Sequence, residues 1–120
     1  MTWTFSLPRE VQTGNALAYR HWRFRHADKL AWLGLLRSEL LIRPIPLATM
    51  RRKVLIFSYR KRIIDDDNLI AGAKHLRDCL TVVGLILDDN ARGARVTYGQ
   101  ETVIKGRKTS TVITIEDDAA

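Results

Sequence analysis

The stretch Arg52-Lys53-Val54-Leu55-Ile56-Phe57-Ser58-Tyr59, followed by Asp65-Asp66-Asp67-Asn68 and then by Leu69, Ala73, Leu76, Leu80 and Val83, decides the fold. Residues 52–59 form a β-branched and aromatic run, which predicts a buried strand. The five apolar residues recur at three- and four-residue spacing, which predicts a helix, and Gly84 ends it. A strand leading into a helix through a run of acids is therefore the centre of the chain. Leu85-Ile86-Leu87 is a short apolar run that leads into Asp88-Asp89-Asn90.

Outward from this centre, Thr2 to Ser6 alternates with aromatics and stops at Pro8, as a first strand does. Thr13 or Asn15 can cap a long helix reaching about Leu41, with Trp22, Leu30, Leu33, Leu36 and Leu40 as its apolar stripe and Pro44 and Pro46 beyond its end. Residues 94–100 and 110–115 alternate as two closing strands, with Gly106 in the turn between them. The order strand, helix, strand, helix, strand, strand predicts an α+β fold: a single-layer mixed sheet carrying two helices. A length of 120 residues, 46% of them hydrophobic, predicts one domain over 1–120 with a core of its own.

Composition narrows the function. Cys79 is the sole cysteine, so no internal disulfide forms, no Cys/His zinc cluster exists, and a reducing, cytoplasmic setting is expected. The N-terminal residues lack the pattern of a signal peptide, and no stretch approaches the roughly 18 apolar residues of a membrane span, so no membrane partner is expected. The net charge of +7 points to a polyanion, nucleic acid first. Arg51, Arg52, Lys53, Arg60, Lys61 and Arg62 fall within residues 51–62 with no acid among them, and form the expected DNA-backbone grip.

The acids at 65–67 admit two readings. One aspartate there is an ordinary helix N-cap, favoured by the helix dipole. Three in succession repel one another, and capping uses one. Carboxylates at a strand end suit a hard cation such as Mg²⁺, and the helix that follows returns the chain so that Asp88 or Asp89 can approach. An EF-hand is excluded, because Ile70 and Leu76 stand where its loop needs Gly and Glu. Lys74 lies two helical turns beyond Asp67 and off the apolar stripe. It can pair with Asp78, an ordinary surface interaction, or neutralise charge at a phosphate.

The run Asp65-Asp66-Asp67-Asn68-Leu69, Lys74, Asp78-Cys79-Leu80, Gly84-Leu85-Ile86 and Asp88-Asp89 resembles the RusA family of Holliday junction resolvases, common in bacteria and their prophages. The family pattern is Asp-x-Asp-Asn-Leu, a helical Lys, Asp-x-Leu four residues on, a Gly and a closing Asp-Asp. This resemblance implies a Mg²⁺-dependent homodimeric endonuclease that binds four-way DNA junctions in recombination and repair and nicks two strands symmetrically. By motif position, Asp65, Asp67 and Asp89 correspond to the catalytic metal ligands and Lys74 to the catalytic lysine. The chain departs from the pattern twice. The gap from Asn68 to Lys74 is a few residues longer, and Ile63-Ile64 intervene where the family often places Arg before the first Asp. The competing readings are a non-catalytic junction-binding protein, whose acids only cap a helix, and an RNA-binding domain, which would expose aromatics for stacking. Trp22, Trp32 and Tyr19 on the first helix are instead expected in the core or at a dimer interface. His21 and His26 are expected at the surface.

Overall fold

The computed structural model describes residues 1–18 and 21–118. They form β1 (Thr2–Leu7), α1 (Gly14–Ala18), α2 (Trp22–Ile42), β2 (Arg52–Arg60), α3 (Asp66–Gly72), α4 (Lys74–Val82), β3 (Ala94–Thr102) and β4 (Ser110–Asp117). The fold is mixed α+β, as expected, with one four-stranded sheet in the order β1-β4-β2-β3. β4 lies antiparallel to both β1 and β2, while β3 runs parallel to β2. A parallel neighbour needs a long crossover, and α3 and α4 supply it. The expected four strands are all present, and each runs one or two residues beyond its expected end.

β2 alternates strictly. Arg52, Val54, Ile56, Ser58 and Arg60 are buried, and the residues between them are half-buried. The core gathers on the buried face, where Val54 and Ile56 meet Phe5, Leu7, Ile113 and Ile115 of the neighbouring strands and Trp32, Leu36, Leu69, Leu76 and Leu80 of the helices. The expected stripe Leu69, Ala73, Leu76 and Leu80 is buried in full, and Val83 packs against it. Gly84 follows with φ +80, the left-handed conformation that ends a helix.

Two helical expectations need correction. The first helix is two segments, α1 and α2; Tyr19 lies outside the described residues. His21 caps α2 by accepting from the Arg23 amide at 3.1 Å. Along α2 the buried face is Asp28, Trp32 and Leu36, each four residues from the next, while Trp22 and Leu30 are exposed. Counting leucines placed the stripe too broadly, because a buried charge shares the inward face. Asp28 is held there by Arg9 Nη2, which donates to its Oδ1 at 2.8 Å, and by His75 Nδ1, 2.8 Å from its Oδ2. The second helix breaks at Ala73 into α3 and α4. Gly72 lies against the chain before α1 so closely that a Cβ there would stand 1.6 Å from the Gln12 carbonyl oxygen. Among the described residues, no helix is long and apolar enough to cross a membrane.

Candidate active site and basic surfaces

Asp65 directly precedes α3 with extended backbone, the conformation of an N-cap. Its Oδ2 accepts from the Asn68 amide at 3.3 Å and its Oδ1 from Asn68 Nδ2 at 2.7 Å. These hydrogen bonds hold the Asp65 carboxyl below the usual aspartate range. Asn68 also accepts from the Asn15 amide at 2.9 Å, which ties α3 to α1. Asp66 and Asp67 occupy the exposed first turn of α3, where the helix dipole favours them. The preceding residue is fixed to the sheet: the Ile64 amide donates to Gln100 Oε1 at 3.0 Å and its carbonyl accepts from Gln100 Nε2 at 2.6 Å.

Lys74 and Asp89 come together. With Ile70, Ala71, Arg77 and Tyr98 they line one open pocket of about 230 Å³ against β3. Asp67 lies three and four residues before Ile70 and Ala71, so helical spacing puts it one turn along the same side of α3. Two polar members of the pocket, Arg77 and Tyr98, were not singled out in the sequence. Arg77 forms an ion pair with Asp89 and donates through Nη1 to the Tyr98 hydroxyl at 3.1 Å. Its position three residues after Lys74 was the available signal. Burial pushes the Asp89 carboxyl above its ordinary value; Arg77 opposes the shift, and a hydrogen bond shared with the like-charged Asp78 adds to it. The Lys74–Asp78 pair that the spacing allowed is absent among the described ion pairs. Asp88 is exposed and accepts from the Asp89 amide at 2.7 Å and from Asn90 Nδ2 at 2.9 Å, which shapes the turn before β3.

The expected ligand trio is not assembled. Among the described residues, no three His, Cys, Asp or Glu side chains are grouped to hold a metal ion. Asp65 is engaged by Asn68 and Asp89 by Arg77, whereas Asp67 has no hydrogen-bond or ion-pair partner among the described residues. The donor chemistry nevertheless suits Mg²⁺: all three are oxygen-only carboxylates, Asp65 and Asp67 are exposed, and Asp89 lines a pocket that also carries a lysine.

The basic block divides in two. β2 spans nine residues, so its ends lie about 26 Å apart. At its start, the antiparallel register sets Arg52 opposite Asp117 and Lys53 opposite Glu116. Arg52 is 2% exposed. It donates to Asp117 Oδ1 and to the Leu85 carbonyl, each at 3.0 Å, and stacks over Trp3 at 4.9 Å. Arg51 pairs with Asp118 at 3.6 Å and Lys53 with Glu116 at 3.9 Å. At the other end, Arg60 is 4% exposed and donates to the Arg62 and Val11 carbonyls and to Ser58 Oγ. Arg52 and Arg60 are therefore corrected from DNA-gripping residues to structural ones, because neither guanidinium reaches the surface. Lys61 and Arg62 are exposed and free of ion pairs among the described residues.

No protein-family model matches the chain, and no curated protein matches its sequence.

Proposed function

We propose that the chain is a Mg²⁺-dependent endodeoxyribonuclease that cuts branched DNA, with its centre at the pocket between α3, α4 and β3. The meeting of Lys74 and Asp89 in one pocket, one turn from Asp67, carries this reading. Lys74 lies at the start of α4 and Asp89 in the turn before β3, and each of the three residues stands at a position of the motif that resembles the RusA family. Asp65, Asp67 and Asp89 would hold the ion. When bound, Mg²⁺ supplies charge neutralisation at the phosphate and a lower pKa for an attacking water. Lys74 places a cation in the pocket, where it offsets charge gathering on the phosphate oxygens. Asp65 holds the first turn of α3, so Asp67 presents its carboxylate from a fixed helix end. A four-way junction has two equivalent strands to cut, and a homodimer would supply one such pocket to each.

The second reading is a junction-binding protein without catalysis. It is favoured by the capping bonds that occupy Asp65 and the ion pair that occupies Asp89. Wild type beside the Asp67→Asn variant separates the two, because the second reading gives no cutting by either protein. Removing one negative charge that faces phosphate abolishes cutting of a labelled junction and leaves binding equal or tighter. Undiminished cutting by Asp67→Asn removes Asp67 from the site.

A further inference from the structure

Five exposed cations gather on two adjacent connections at one end of the sheet. The β3–β4 connection carries Lys105, Arg107 and Lys108, all exposed. It begins where the Val103 amide donates to the Arg60 carbonyl at 2.9 Å, so it starts beside the segment that carries Lys61 and Arg62. The strand registers agree, since Arg60 lies opposite Thr102 and Tyr59 opposite Ser110. The tip is a tight turn, with Gly106 at φ +88 and the Arg107 amide donating to the Ile104 carbonyl at 2.9 Å. Among the described residues, none of these five cations forms an ion pair or a side-chain hydrogen bond. The nearby acids are Glu101, at the end of β3, and Glu10, which accepts from the Lys61 amide at 3.1 Å. The contrast with the start of β2 is direct, because there all three basic residues face carboxylates of β4 and the residue after it. Five unpaired cations on adjacent loops form a surface suited to a row of phosphates rather than to a single anion.

We propose that Lys61, Arg62, Lys105, Arg107 and Lys108 form the surface that grips the DNA backbone, with the β3–β4 connection as its principal arm. This inference rests on the DNA-directed reading above and moves the grip away from Arg51, Arg52 and Lys53. The same segment leads from Arg62 to Asp65, so a duplex held there runs toward the first turn of α3.

The test is fluorescence-anisotropy binding of a synthetic four-way junction in Ca²⁺ across a salt series. It compares wild type, Lys105→Ala/Arg107→Ala/Lys108→Ala, and Arg51→Ala/Lys53→Ala. All five substituted side chains lie at or near the surface, and circular dichroism checks that each variant is folded. The triple variant is expected to bind roughly tenfold more weakly at moderate salt, and its slope of log affinity against log salt flattens by about 2 to 3. The double variant keeps the wild-type slope. An unchanged slope in the folded triple variant overturns the assignment of this surface while leaving the nuclease reading intact. Absence of junction binding by wild type overturns the DNA-directed reading, and this assignment with it. Stronger binding to duplex RNA or to phosphatidylglycerol vesicles than to any DNA overturns the choice of DNA as partner.

Discussion

At the scale of single residues, Asp65 serves as both cap and candidate ligand, and substitution separates the roles. Asn caps a helix about as well as Asp, whereas Ala does not. Asp65→Asn is therefore expected to keep the thermal stability of the wild type, Asp65→Ala to lower it, and both to lose cutting. A pH scan adds a signed check. The folded carboxyl titrates below its unfolded value, so its stabilising effect is complete above the ordinary aspartate pKa of about 3.9 and vanishes as pH falls through the depressed folded value. Asp65→Asn loses that component of the acid limb, measured as a smaller drop in Tm between neutral and acid pH. Arg52 makes a different case. Its guanidinium is buried on Trp3 and tied to Asp117 and the Leu85 carbonyl, so Arg52→Ala costs about 2–3 kcal/mol in urea unfolding. An unchanged midpoint would show that Arg52 is not structural. The sequence displayed Arg52 as one of six neighbouring cations. Its burial depends on a register with residues near the other end of the chain, which local spacing does not encode.

At the scale of elements, apolar periodicity revealed the four strands and the buried stripe of α3 and α4. It did not reveal where helices break, because the break at Ala73 accompanies a close approach of Gly72 to Gln12 from a distant part of the chain. Gly72→Ala drives a Cβ into that backbone, with an expected loss of about 3 kcal/mol and a fall in Tm of roughly 10 °C. Gly34, within α2, is the counterpart, because a Cβ there meets nothing within 4 Å. Gly34→Ala is expected to stabilise by about 0.5–1 kcal/mol, since it relieves the entropic penalty of glycine in a helix. Equal effects of the two substitutions would contradict the packing described. On α2, Asp28 took an inward position that leucine counting gave to Leu30. A buried carboxylate held by Arg9 and His75 cannot be inferred from hydrophobic spacing.

At the scale of the whole molecule, charge and candidate chemistry follow the same division. The acids of β4 and Asp118 neutralise the basic start of β2, the far end keeps its free cations, and the pocket with Lys74 and Asp89 lies on the helix-covered side against β3. By resemblance, the motif grouped Lys74 with Asp65, Asp67 and Asp89; of these, Lys74 and Asp89 line one pocket and Asp65 and Asp67 are not among its lining residues. The motif did not anticipate Arg77, whose pairing with Asp89 depends on how α4 meets the turn before β3. The proposed reaction would depend on divalent metal, on a branched substrate and on all four of Asp65, Asp67, Lys74 and Asp89. Lys74→Ala is expected to slow cutting by about a hundredfold, as loss of one charge-stabilising group does, while junction binding stays within a few-fold of wild type. The most direct test is incubation of the purified protein with a labelled four-way junction, with and without Mg²⁺, beside a linear duplex of the same sequence. The account predicts paired, symmetric nicks in the junction alone and only with metal. Binding without any product, or equal cutting of the linear duplex, would contradict it.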